Sequence, residues 1–186
     1  MRRTPSSGHR AELLDATVGF ITAIVNVPGV RSISLVGSIV TNRPDPKDID
    51  LLLVIGDDTD VSVLAGHARK LQGRAQQLNR GVDVFLADEG GTYLGRTCHW
   101  KDCRPGIRAS CDALHCGRRP HLHDDLEDVR LDPRVVAAPP ITLWPRVVRR
   151  LVLPADVERM IDELNTLPNM ACSRQREWNG RAAADA

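Results

Sequence analysis

The chain has 186 residues, 42% of them hydrophobic and 26% charged, with a formal net charge of +1. Those values suit one well-packed domain with a modest extension and exclude two full domains, a disordered chain and a membrane-filling composition. Near neutrality removes any whole-molecule electrostatic argument for nucleic acid, membrane or an acidic partner, so only local clusters can make one.

Arg2-Arg3 and the apolar stretch from Ala16 to Val30 have the outline of an export signal. Glu12 and Asp15 at the front of that stretch, with no small-residue cleavage site after it, argue against one. No apolar run reaches the roughly eighteen residues of a spanning helix. The expectation is a cytoplasmic protein whose five cysteines are reduced or metal-bound.

Leu13, Leu14, Val18, Ile21, Ile24 and Val25 recur near a helical period, which predicts an amphipathic helix over residues 10–26 stopped by Pro28-Gly29. Val30 to Val36 reads as a strand ending at Gly37-Ser38. A Pro-rich loop over residues 42–47 leads to the run Ile49 to Ile55, almost unbroken Leu, Val and Ile. Such a run is a strand covered on both faces. Residues 60–79 return to helical spacing through Val63, Leu64, Ala68, Leu71, Ala75 and Leu78, with Arg80-Gly81 as the stop, and Val82 to Ala87 is a further short strand. Helix, strand, loop, strand, helix and strand in this order predict an α+β fold, a mixed sheet with helices packed against it.

Beyond Gly90-Gly91 the composition changes. Between residues 96 and 123 lie Cys98, Cys103, Cys111 and Cys116, the histidines 99, 115, 121 and 123, and the basic residues Arg96, Lys101, Arg104, Arg108, Arg118 and Arg119. Residues 124–145 hold acidic and Pro-rich pieces, and Pro154 to Leu167 reads as a short helix with Val157, Met160, Ile161 and Leu164 on one side. The expected organisation is a core at 10–90, a Cys/His-rich basic extension at 91–123, a C-terminal region with a short helix at 124–170, and a frayed tail at 171–186.

The chemistry concentrates at residues 37–50. Asp48 and Asp50 are two apart on a strand, so both carboxylates point to one face while Ile49 points to the other. One divalent cation can then touch both, and Mg²⁺ takes such hard oxygens together with phosphate oxygens and water. A lone DxD is a weak signal in a chain with 24 acidic residues, and Asp58-Thr59-Asp60 reads as a solvated loop that caps the next helix. The earlier pair is set apart by its context, a strand ending in Gly37-Ser38, a short loop, and then the most apolar strand of the chain. Gly37 allows a sharp turn and close approach to a ligand, and Ser38 adds a hydroxyl and an amide for phosphate oxygens.

The segment SISLVGSIVTNRPDPKDIDLLLVI resembles the signature of the minimal nucleotidyltransferases in the DNA polymerase β-like superfamily. The resemblance spans residues 10–88 and implies that Gly37 and Ser38 hold phosphate and that Asp48 and Asp50 bind metal. It also implies a third carboxylate from a later strand, the place Asp83 occupies. Many relatives have a second small residue and a Ser just before the DxD, whereas Lys47 stands there in this chain. The activity implied is transfer of an NMP from an NTP to an acceptor hydroxyl with release of pyrophosphate, using two Mg²⁺ ions. The acceptor is open among a small molecule, a tRNA end and a protein side chain, and the resemblance admits a helical partner protein. The rival from another class is a non-catalytic protein on a degenerate fold that binds nucleic acid or a partner.

In the extension, Cys98, Cys103, Cys111 and Cys116 form C-x4-C-x7-C-x4-C, with His99 and His115 as alternates, which suggests one structural zinc. The competing reading makes these cysteines small core residues. The arginines divide between a solvated face, favoured for most, and a clamp for triphosphate or RNA. Trp100 is read as core rather than a stacking platform. His121, His123, Asp124 and Asp125 are read as a turn and helix start rather than a further metal site.

Overall fold

The computed structural model describes residues 7–99, 116, 119–123, 130–168 and 170. Helix α1 (Ser7–Ile24) is followed by strand β1 (Val30–Val36), a 3-10 turn (Gly37–Val40), strand β2 (Asp48–Ile55), helix α2 (Val61–Gln77) and strand β3 (Gly81–Ala87). The later part adds β4 (Tyr93–Thr97), β5 (Leu122–His123), α3 (Pro133–Ala137), β6 (Ile141–Trp144), β7 (Val148–Arg149) and α4 (Ala155–Thr166). All seven strands lie in one sheet, ordered β5-β4-β3-β2-β1-β6-β7. The protein is thus α+β, with a mixed sheet. Segments 91–123 and 124–170 complete the sheet on both sides of the first three strands.

Period and burial agree along β2. Ile49, Leu51, Leu53 and Ile55 enter the main core with α1, α2 and α4. Leu52 turns to the other face, where it packs with Val36, Phe85, Ala87 and, from α3, Val136. A fully buried leucine such as Leu51 costs about 2–5 kcal/mol when cut to alanine, so this strand anchors both layers. In α1 the core-facing Thr17 returns its hydroxyl hydrogen to the Leu13 carbonyl at 2.8 Å, which removes the cost of burying it.

The Asp58-Thr59-Asp60 segment does what its turn chemistry predicts. Asp60 caps α2 by accepting from the Ser62 amide at 2.9 Å. Hydrogen bonds from Ser62, the hydroxyl first and the amide second, hold its carboxyl below the usual range.

β2 and β3 are parallel, and every other pairing among the described strands is antiparallel. A parallel pair needs a long crossover, which α2 supplies. Strands β2 and β3 therefore start at the same edge of the sheet. β4 runs back against β3, so its end returns to that edge. No helix among the described residues is long and apolar enough to cross a membrane. The expected tail at 171–186 lies outside the described residues.

Candidate functional site

The shared starting edge of β2 and β3 carries the acidic group. Register pairs Asp50 with Asp83, Asp48 with Gly81 and, on the other side, Val36 with Asp50. Cross-strand partners in register point to the same face, so Asp48, Asp50 and Asp83 share the face opposite the three long helices. Ile49, between the first two, is fully buried in the main core.

Two glycines make room for the carboxylates. A Cβ on Gly37, whose φ is +73°, would overlap the Asp50 carboxylate, and a Cβ on Gly81 would overlap that of Asp48. Gly37 is thus required twice, for its left-handed backbone and for the space it leaves over Asp50. Ser38 is half-buried in the 3-10 turn, and its carbonyl accepts from the amide and the hydroxyl of Thr41 at 3.1 and 2.7 Å. The Lys47 side chain is exposed, while its carbonyl takes the Gly81 amide at 3.1 Å and ties the loop before β2 to the start of β3.

Crowding three carboxylates together has an electrostatic cost. Burial, then the charges of Asp83 and Asp48, push the Asp50 carboxyl up to about 7. A divalent cation would relieve this repulsion. Carboxylate oxygens are the donor type Mg²⁺ takes, but among the described residues the three donor atoms that lie within 4.8 Å of one another are those of Cys98, Cys116 and His121, so a cation here would have to draw the three carboxylates together.

Asp83 also has an arginine and a histidine as neighbours, from β4 and the residues just after it. Arg96 Nη1 stands 3.5 Å from Asp83 Oδ1, and His99 Nε2 3.4 Å from the same oxygen. The Arg96 guanidinium and the His99 ring meet at 3.0 Å, and both side chains are buried. Arg96 is therefore not part of a solvated face, and His99 is turned toward the acidic group. Tyr93 packs on Phe85 with ring centroids 6.3 Å apart, and burial pushes its phenol up to about 12.

One group that sequence reading missed holds the turn after Gly37 in place. Arg10, buried on α1, donates to the Ile39 carbonyl at 2.7 Å and the Arg43 carbonyl at 3.1 Å, and pairs with Asp156 of α4 at 2.5 Å. Burial opposes ionisation of Asp156, but the hydrogen bond and charge of Arg10 prevail and its carboxyl sits below the usual range. An arginine early in an amphipathic helix has the pattern of a surface residue. Its partners come from the far end of the chain, which no local window contains.

Part of the Cys/His segment converges. Cys98, at the end of β4, meets Cys116 and His121, with candidate donor atoms within 4.8 Å of one another. Cys103, Cys111 and His115 lie outside the described residues, as do Trp100, Lys101, Arg104, Arg108, Arg118, Asp124 and Asp125. His121 occupies a turn, as its neighbours suggested, and strand β5 follows it; the expected helix start at Asp124 and Asp125 lies outside the described residues. Arg119 donates to the carbonyls of Asp57 and Thr59 at 3.3 and 3.1 Å, so it fastens that turn to the loop before α2.

Fold and site together describe an α+β protein with an acidic cluster at one edge of a mixed sheet. Residues 1–103, more than half of the chain, match the model of a family of unknown function (DUF6932), and the chain belongs to that family. Comparison with curated proteins and with solved structures gave no match. The matched region includes Asp48, Asp50, Asp83 and Cys98 and stops before Cys116 and His121.

Proposed function

We propose that the protein is a metal-dependent nucleotidyltransferase that moves an NMP from an NTP to an acceptor hydroxyl and releases pyrophosphate. The observation that carries this reading is the register of β2 with β3, which sets Asp83 beside Asp50 on the face that Asp48 shares. The resemblance of residues 32–55 to the nucleotidyltransferase signature supports it.

Asp48, Asp50 and Asp83 would hold Mg²⁺. Bound there, Mg²⁺ supplies polarisation of phosphoryl oxygens and neutralisation of the pyrophosphate leaving group. The chain's own groups do the rest. Gly37 and Ser38 offer the triphosphate a turn the backbone can approach closely. Asp83 would accept the proton of the attacking hydroxyl, with Arg96 and His99 beside it to orient its carboxylate. The acceptor, whether small molecule, tRNA end or protein side chain, would approach the face that carries the carboxylates, and a helical partner protein is compatible with the fold.

The test uses α-labelled NTPs, Mg²⁺ and cell extract with the wild-type protein and Asp50→Asn. Wild-type protein is expected to transfer label to a discrete acceptor and the variant to transfer none. Equal labelling by both would sink the proposal.

A second reading rests on the same Arg96 and His99, which compete with a cation for Asp83 and suit a non-catalytic protein that holds nucleic acid or a partner. A protein without NTP turnover that retards RNA with steep salt dependence would select that reading.

A further inference from the structure

We infer that Cys98, Cys116 and His121 form a zinc site that fastens the edge of the sheet, independent of the acidic cluster and of the proposed transfer reaction. Two of the four cysteines that the spacing suggests are joined by a histidine from a turn, while Cys103 and Cys111 lie outside the described residues.

Three observations carry the assignment. The first is proximity. The three candidate donor atoms lie within 4.8 Å of one another, and in a tetrahedral site zinc–sulfur bonds of about 2.3 Å put two sulfurs about 3.8 Å apart. A small contraction therefore closes the site.

The second is the state of the histidine. The chain turns between Arg119 and Leu122, closed by the Leu122 amide on the Arg119 carbonyl at 3.1 Å, with Pro120 and His121 at its centre. His121 has φ +62°, a left-handed conformation that glycine or asparagine usually holds. Its Nδ1 is buried and has no hydrogen-bond partner among the described residues. A buried ring nitrogen left without a partner is destabilising, and a metal bond removes that cost.

The third is the environment of the sulfurs. Cys116 Sγ accepts the His121 amide at 3.0 Å, and Cys98 Sγ accepts from the Arg69 guanidinium on α2 at 2.8 Å. Outer donors of this kind orient metal thiolates and offset their charge. The Cys98 amide meanwhile donates to the His121 carbonyl at 2.9 Å, so backbone and side chains of the two segments already converge.

Two sulfurs and an imidazole are borderline-soft donors that select zinc over Mg²⁺ or Ca²⁺. They provide three of four tetrahedral positions. The metal would lock the turn at 119–122 and strand β5 onto the end of β4, beside the residues that face Asp83.

The test begins with the full chain purified without chelator. Elemental analysis should find about one zinc per chain. Replacement by Co²⁺ should give thiolate-to-cobalt charge-transfer and tetrahedral d–d bands. His121→Ala and Cys116→Ser should each lower zinc affinity at least about tenfold, whereas His121→Cys, which keeps three donors and serves as the folding control, should retain zinc. Absence of zinc with no cobalt uptake would overturn the site, as would full zinc affinity in His121→Ala and Cys116→Ser. A Cys98–Cys116 disulfide in the freshly purified chain would overturn it too.

Discussion

Two donor clusters of opposite chemistry lie at one edge of the same sheet. Asp48, Asp50 and Asp83 offer hard oxygens on the side away from the long helices. One strand further on, Cys98 and its neighbours offer sulfur and nitrogen. The acidic group is assembled by strand register alone, and its like charges repel. The Cys/His group is assembled by a turn folding back on a strand end, and its members already exchange hydrogen bonds. One cluster is strained without a cation, whereas the other is held together before a cation arrives. On the two proposals, ligand type would give each cluster its own metal, with little exchange between them.

The sharpest way to break that comparison is a cross-test. Asp48→Asn should lower label transfer on the order of 10³-fold, since it removes several kcal/mol of charge stabilisation, and should leave zinc content unchanged. Cys116→Ser should do the reverse to zinc while the response of stability to Mg²⁺ persists. Loss of both properties in either variant would show one coupled centre rather than two.

The next effect is on stability against pH. Asp50 has its folded carboxyl raised from 3.8 to about 7, so between those values the native state binds more protons than the unfolded chain. Stability from this group is complete below about pH 4 and is lost as pH rises through about 7. In ion-free protein the loss amounts to at most roughly 4 kcal/mol. Denaturant titrations at pH 5 and pH 8 should reveal it in wild-type protein and not in Asp50→Asn. Mg²⁺ should restore stability at pH 8 more than at pH 5.

Arg10→Ala should follow, at about 3 kcal/mol, because it strands Asp156 and frees the carbonyls of Ile39 and Arg43. Urea denaturation measures it, and a change below about 0.5 kcal/mol would mean that the turn after Gly37 is held without this arginine. The smallest effect is expected from Gly37→Ala, about 2 kcal/mol from the positive φ and the displaced Asp50. Recovery of part of that loss on adding Asp50→Ala, which removes the overlapped carboxylate, would identify it as what the methyl group meets.

The first ninety residues were legible because each signal there is local. The Asp48-Ile49-Asp50 alternation needs only the two-residue period, and Asp60 reads as a cap from the residues beside it. Later elements defeat such reading. β4 is short, with Gly95 at φ 132° inside it, and β6 has four residues framed by prolines. Each is a strand because a longer strand lies ready beside it, β3 for the one and β1 for the other. In sequence His121 groups with His123, Asp124 and Asp125 rather than with the cysteines, since its approach to Cys98 follows from the turn that returns to that residue. Only the positive φ and the orphan nitrogen single it out, and both are properties of the folded chain.

The parallel pairing of β2 with β3 also has a kinetic consequence. Asp48 and Asp50 are neighbours in any extended chain, but Asp83 joins them only after α2 has formed and β3 has docked, a step that must first close a long loop. If the proposed Mg²⁺ site is formed by these three carboxylates, a refolding chain would complete it late, in the same step that zips this central pair. Binding of Mn²⁺ during refolding would time the closure of the sheet.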